Sequence, residues 1–251
     1  MQMKLNVSKT LLAASMALGL LSAQAQQGKL SGDGVKIGVL TDFSGVYSDY
    51  GGQGALVAAK MAVQDFGGKM FGKPIEVVSA DHQNKPDIAK SIALRWFDRD
   101  GVDISVENLN SSVALAVQAL GKEKSKITIT TGAATSRLTN EDCSPGNGIH
   151  YLMDTIALSK VVGKAIVKDG GDSWFFLTAD YAFGHSLEKD TGEVVKQSGG
   201  KVLGAVRHPL STNDFSAFLL QAQAQGAVQQ ATQAQYMPYN QLTGTYATDK
   251  Q

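Results

Sequence analysis

Four short stretches carry the residues whose types and spacing could do chemistry: 43–54 "FSGVYSDYGGQG", 110–112 "NSS", 132–136 "GAATS" and 180–184 "DYAFG". The first has four glycines, Gly45, Gly51, Gly52 and Gly54, between an apolar run and a helix-like run, a layout shared with phosphate-binding loops. A phosphate cradle nevertheless fails on its details. G-x-x-x-x-G-K-[ST] is missing, and Val57 stands where the last glycine of G-x-G-x-x-G would fall. Asp42 and Asp49 would also bring two carboxylates toward a phosphate, which is electrostatically unfavourable. Asp81 resembles a ribose-binding acid, but it lacks the accompanying glycine fingerprint. The remaining readings are that the glycines only make a turn, or that they bring backbone N–H groups and Tyr47 or Ser48 to a small ligand.

Catalytic patterns have little support. Ser186 to Lys189 match S-x-x-K, but the chain lacks S-D-N and K-T-G, and Glu188 and Lys189 read as a solvated helix face. His82, His150, His185 and His208 are scattered, without H-E-x-x-H, and Cys143 is the only cysteine. No metal site, cofactor or nucleophile–base pair is expected, so the chain is not read as an enzyme. Cys143 reads as a small buried residue, and an internal disulfide is ruled out by count.

The other three stretches suit binding. Asn110, Ser111 and Ser112 offer an amide and two hydroxyls where a helix begins, and free N–H groups there favour an anion such as a carboxylate. Thr131 to Ser136 repeat the device with small residues that let backbone approach a ligand. Tyr181 is presented from 179–184. Ser112 as a plain N-cap and Tyr181 as a rim aromatic remain open alternatives. Four such stretches at successive strand ends favour a site.

The elements that must position them follow from periodicity. Strands are expected at 35–41, 74–81, 102–106 and 126–131, with helices at 55–66, 87–100 and 112–121 between and after them. Ile88, Ile92 and Trp96 mark one face of the second helix. A second series has a helix at 156–168, a strand at 173–178, a helix at 184–198, a strand at 201–208 and a helix at 214–225. Such alternation means an α/β fold with right-handed βαβ units and parallel sheets, whose ligands bind outside the carboxyl ends of the strands. The irregular 140–151 segment, rich in Asn, Gly and Pro, separates a first lobe (35–150) from a second (151–227).

Composition bounds the rest. The 251-residue chain has 23 basic and 23 acidic side chains. That balance offers no footprint for nucleic acid and no basic face for anionic lipid. Residues 1–25, with Lys4 and Lys9 before an apolar core and "AQA" at 23–25, read as a Sec-type secretory signal that directs the chain to the periplasm. No later run is long enough to span a membrane, so no direct membrane insertion is expected. Residues 228–251 are glutamine-rich, lack apolar period and contain Pro238, and read as an atypical disordered tail.

Several long stretches carry a family resemblance: "VKIGVLTDFSGVYSDYGGQGALVAAKMAV", "GKPIEVVSADHQNKPDIA", "NSSVALAV", "TGAATSRLT", "TADYAFGHSLE" and "GGKVLGAVRHPLSTNDFSAFLLQAQAQGA". Together, from 35 to about 227, they resemble the substrate-binding proteins of ABC transporters. The class is the branched-chain amino acid (leucine-binding) one, with the type I periplasmic-binding-protein fold. The resemblance implies a clamshell of two Rossmann-like lobes, acting as a monomer that binds a small carboxylate, an amino acid or aromatic acid, and docks on a membrane permease. It places ligand contacts at Tyr47, Ser48, Ser111, Ser112, Ala133, Thr135 and Tyr181, with Asn110 and Phe183 as wall residues. The family's chains run well over a hundred residues further, so the second lobe is expected to be incomplete, a C-terminally truncated copy that closes poorly on ligand. Rival classes are a sensory ligand-binding module of the same fold and an exported hydrolase.

Overall fold

The computed structural model describes residues 32–225. The expected signal segment 1–25 and tail 228–251 lie outside the described residues. In chain order the elements are β1 (Val35–Thr41), α1 (Gly52–Asp65), β2 (Lys69–Met70), β3 (Lys73–Asp81), α2 (Pro86–Arg95), β4 (Ile104–Glu107) and α3 (Ser111–Lys124). These are followed by β5 (Ile127–Thr130), β6 (Gly148–His150), α4 (Thr155–Lys168), β7 (Ser173–Ala179), α5 (Ala182–Gln197), β8 (Lys201–His208) and α6 (Ser216–Ala224).

Two sheets result. The first runs β2-β3-β1-β4-β5-β6, and the second pairs β7 with β8. Every pairing is parallel except the short β2–β3 hairpin. The α/β fold with parallel sheets expected from the alternation is therefore present.

The core of the first sheet lies on one face. Leu40 from β1 packs there with Ala89, Ala93 and Trp96 near α2 and with Val113, Val117 and Leu120 of α3. Burying each of the larger side chains contributes about 1.5–3 kcal/mol. The i, i+4, i+8 stripe predicted at Ile88, Ile92 and Trp96 is turned slightly: Ala89, Ala93, Trp96 and Phe97 are buried while Ile88 and Ile92 flank them. Gly38 is where the backbone admits the Trp96 ring, since a Cβ there would sit 2.5 Å from it. After Arg95 the helix continues as a π-helical turn, Trp96–Asp100, closed by Gly101 in the left-handed region (φ 71°).

The second sheet is covered on both faces. Trp174, Phe176 and Val195 form one cluster with half-buried Ile166 and Val202. Phe175, Leu177, Val206 and Ala222 form the other. This accounts for the near-continuous apolar run of β7, as burial on two faces requires.

Three sequence expectations are corrected. The N-cap of α3 is Asn110, whose side chain accepts from Ser112 N (2.9 Å) and Val113 N (3.3 Å), so Ser112 is already inside the helix. Cys143 is half-buried rather than buried. Residues 148–150, within the segment read as irregular, form β6 and extend the first sheet beside β5. Three residues containing a glycine carry no readable period.

Candidate functional site

The loop after β1 is organised by two carboxylates. Asp42, fully buried, accepts from Gly45 N (2.7 Å), Tyr47 N (2.9 Å) and the Asn84 side-chain amide. Asp81, at the end of β3, accepts from Ser44 Oγ (2.6 Å), Gln83 N (2.8 Å) and Phe43 N (3.2 Å). Burial works to raise the Asp81 pKa, but these hydrogen bonds outweigh it and hold the carboxyl below its ordinary value. Asp42, one of the two acids that argued against a phosphate, and Asp81, which resembled a ribose-binding acid, are the staples of the turn itself. His82 stands fully buried between them, with Nδ1 accepting from Asn84 N (3.0 Å). Burial lowers its pKa to about 4, against the pull of Asp42 and Asp81.

The turn delivers Tyr47 toward the second sheet, where its hydroxyl lies 2.5 Å from that of Tyr181. Ser48 follows in the same turn, its N–H donating to Gly45 O (3.2 Å) and its side chain half-exposed. Tyr181 immediately precedes α5, and its ring lies 6.0 Å from that of Phe183.

The loop after β4 contributes the serines. Ser111 Oγ is buried and accepts from Thr135 N (3.2 Å), joining this loop to the one after β5. Ser112 Oγ accepts from Ala182 N (3.1 Å) at the first turn of α5. Ala133 and Thr135 are both buried. Thr135 Oγ1 lies 2.7 Å from Ser186 Oγ and also accepts from Arg137 N (3.4 Å). Three candidates, Tyr47, Ser112 and Thr135, thus meet the same end of α5, through Tyr181, Ala182 and Ser186. Their hydroxyls are paired between residues that follow the strands of the two sheets, and for buried Thr135 such a partner is what burial of a polar group requires.

That contact fixes the geometry of α5. Its start lies tight against β7: a Cβ on Gly184 would fall 2.0 Å from Ala179 O. Ser186, part of the S-x-x-K match, is buried, and Glu188 is half-buried and pairs with Arg207 at 3.5 Å, so only Lys189 fits the solvated face predicted for this helix.

Two acids escaped the sequence reading. Glu107 ends β4 in the left-handed region (φ 75°) and accepts from the Thr131 hydroxyl. Burial raises its pKa, and the Thr131 hydrogen bond only partly offsets this. Its carboxylate occupies the space beside Gly51 and Gly132, where added Cβ atoms would fall 2.7 and 3.0 Å from Oε1. Its place at a strand's carboxyl end was the available signal. Asp190, four residues after Ser186 and buried, accepts from Ser136 Oγ (2.9 Å) and Thr155 Oγ1 (2.5 Å). The i, i+4 spacing from Ser186 was the clue there.

The arrangement offers hydroxyls and helix N-termini to an anion. Among the described residues no group of three His, Cys, Asp or Glu side chains is placed to hold a metal, and no helix is long and apolar enough to cross a membrane.

Residues 34–232 match the family described as Periplasmic binding protein. A curated relative from Brucella abortus (strain 2308), named Leu/Ile/Val-binding protein homolog 6, is 28% identical over 197 residues, covering 78% of this chain and 49% of the relative. Among solved structures, a periplasmic binding protein from Burkholderia mallei is 61% identical with a TM-score of 0.74, over 77% of this chain and 51% of that one. A solute binding protein of an ABC transporter from Rhodopseudomonas palustris BisB5, in complex with 3,4-dihydroxy benzoic acid, is 27% identical with a TM-score of 0.67, over 77% and 52%. The chain spans about half the length of these relatives.

Proposed function

Because the chain belongs to the periplasmic binding protein family, we propose that it is the extracytoplasmic receptor of an ABC importer, holding a small carboxylate between its two sheets. Residues 35–150 serve as one lobe and 151–227 as part of the other. The ligand class is a branched-chain amino acid or an aromatic acid, the two chemistries that the names of the Brucella and Rhodopseudomonas relatives carry. Its partner is a membrane permease, and its place the periplasm.

The observation that carries this reading is the meeting of Tyr47, Ser112 and Thr135 with Tyr181, Ala182 and Ser186 at one end of α5. A hydroxyl both donates and accepts. A ligand carboxylate therefore takes over the acceptor places that these residues now fill for one another, among them the one Ser112 Oγ fills for Ala182 N at the start of α5. Ser48, Ser111 and Ala133 complete the wall, with Asn110 and Phe183 at its margin. The two tyrosine hydroxyls favour a ligand with a polar group opposite its carboxylate.

A thermal-shift screen with leucine, valine, benzoate and 4-hydroxybenzoate tests this. A ligand at a hundred times its dissociation constant stabilises the folded state by about 2.7 kcal/mol. A rise in melting temperature with at least one of the four is expected; no rise with any of them at millimolar concentration overturns the ligand class.

A further inference from the structure

Glu107 stands at the carboxyl end of β4, between the ligand candidates but not among them. It closes the strand at φ 75°, and Asn108 (46°) and Asn110 (78°) follow it in the left-handed region. Asparagine tolerates that region, whereas glutamate rarely enters it, and such backbone strain gathers at functional sites. Both neighbouring loops make room for the side chain. Cβ atoms added at Gly51 and Gly132 would fall 2.7 and 3.0 Å from Oε1, so the carboxyl fills the gap between these two glycines. Gly51 N donates to Tyr47 O (3.0 Å), and Gly132 directly precedes Ala133. The carboxyl therefore separates the turn that presents Tyr47 and Ser48 from the loop that presents Ala133 and Thr135.

Oε2 accepts from the Thr131 hydroxyl, and Thr131 N donates to Glu107 O (3.2 Å), which ties the residue to the loop after β5. Oε1 is the oxygen that faces the gap. Burial and the Thr131 hydroxyl set its proton affinity, and burial prevails, holding the carboxyl above its ordinary range. The titratable groups of the adjoining loops are engaged elsewhere: Asp42 with Gly45 N and Tyr47 N, and His82 with Asn84 N. A neutral Glu107 offers an O–H to the gap. An ionised one is a poorly solvated anion at the strand ends where a ligand carboxylate must come to rest, and each of two like charges favours protonation of the other.

We propose that Glu107 is a positioning residue whose carboxyl spaces the two ligand loops and takes up a proton from solvent when a carboxylate ligand binds. This rests on the function proposed above and adds to it a dependence of affinity on pH. Affinity is full below the pKa of Glu107 in the free protein. It is lost as pH rises from there to the higher pKa of the complex.

The test is isothermal titration of benzoate, 4-hydroxybenzoate, leucine and valine into the full 251-residue chain between pH 5.5 and 7.5. Two buffers of different ionisation heat count the protons taken up. Wild type should take up a fraction of a proton per ligand bound and lose about tenfold in affinity across the range, the equivalent of one pKa unit. Glu107→Gln keeps the size of the spacer without its charge, and should bind with no linked proton and an affinity level with pH. Glu107→Gly relieves the φ of 75° but removes the spacer, and should bind at least about tenfold more weakly than Glu107→Gln. Binding by wild type without proton uptake, or equal uptake in Glu107→Gln, overturns the proposal. Affinity that rises with pH in wild type alone assigns Glu107 to a donor on the ligand and overturns it too, as does a Glu107→Gly variant that binds as tightly as Glu107→Gln. No binding of any of the four to wild type is a different result: it overturns the proposed ligand class, and this inference with it.

Discussion

Lowering the pH from 7 to 5 should destabilise this protein through one residue, His82. The imidazole is fully buried, its Nδ1 accepts from Asn84 N at 3.0 Å, and burial lowers its pKa from 6.5 to about 4. The unfolded chain therefore binds a proton that the folded one refuses between pH 6.5 and about 4. Stability rises with pH across that window and is level above it. The full shift corresponds to about 3 kcal/mol, of which about 2 kcal/mol is lost between pH 7 and pH 5. Glu107 acts in the opposite sense: its raised pKa makes the folded state bind more protons, so its contribution falls as pH rises from its unfolded value. A comparison of wild type with His82→Gln, which keeps an acceptor for Asn84 N, cancels the Glu107 contribution. Urea denaturation of both proteins at pH 5, 6 and 7 is the assay. Wild type should lose about 2 kcal/mol more than the variant on going to pH 5. Equal losses in the two proteins would refute the reasoning that buried, neutral His82 governs the acid limb.

Asn110→Ala should cost about 1 kcal/mol in a denaturant melt, because it removes the side-chain acceptor for Ser112 N and Val113 N and leaves a non-glycine residue at φ 78°. Asn110→Gly should cost only a few tenths, since glycine adopts that φ freely. Gly184→Ala should destabilise by about 3 kcal/mol or more in the same assay, because its Cβ meets the Ala179 carbonyl at 2.0 Å and neither backbone segment can yield without shifting α5.

Much of the fold was legible because it rests on local pattern. β1 and β8 have the limits that their β-branched runs imply, 35–41 and 201–208, and helices lie between the strands as their periodicity requires. What was hidden depends on neighbours distant in sequence. β6 exists only because β5 offers it a pairing edge. The face of β4 and β5 that would be covered could not be read from "ISV" and "ITIT", since alternation shows two faces without saying which one meets a helix. At the site, the sequence suggested the loops and hydroxyls, and the structure brings Tyr47, Ser112 and Thr135 by separate hydrogen bonds to Tyr181, Ala182 and Ser186 at the start of α5, with Ser111 joined to Thr135. It did not suggest that Asp42 and Asp81 hold the glycine turn together, because their partners are backbone N–H groups and a side chain more than thirty residues away. Asp190 was missed for the same reason, its donors being Ser136 after β5 and Thr155 at the start of α4.

Isothermal titration of 4-hydroxybenzoate, benzoate, leucine and valine into wild type and Ser112→Ala tests the central claim most directly. The account predicts saturable 1:1 binding of at least one of these carboxylates to wild type. It also predicts an affinity at least about tenfold weaker in the variant, the loss of one charge-assisted hydrogen bond. No saturable binding by wild type, or equal affinity in both proteins, would contradict it.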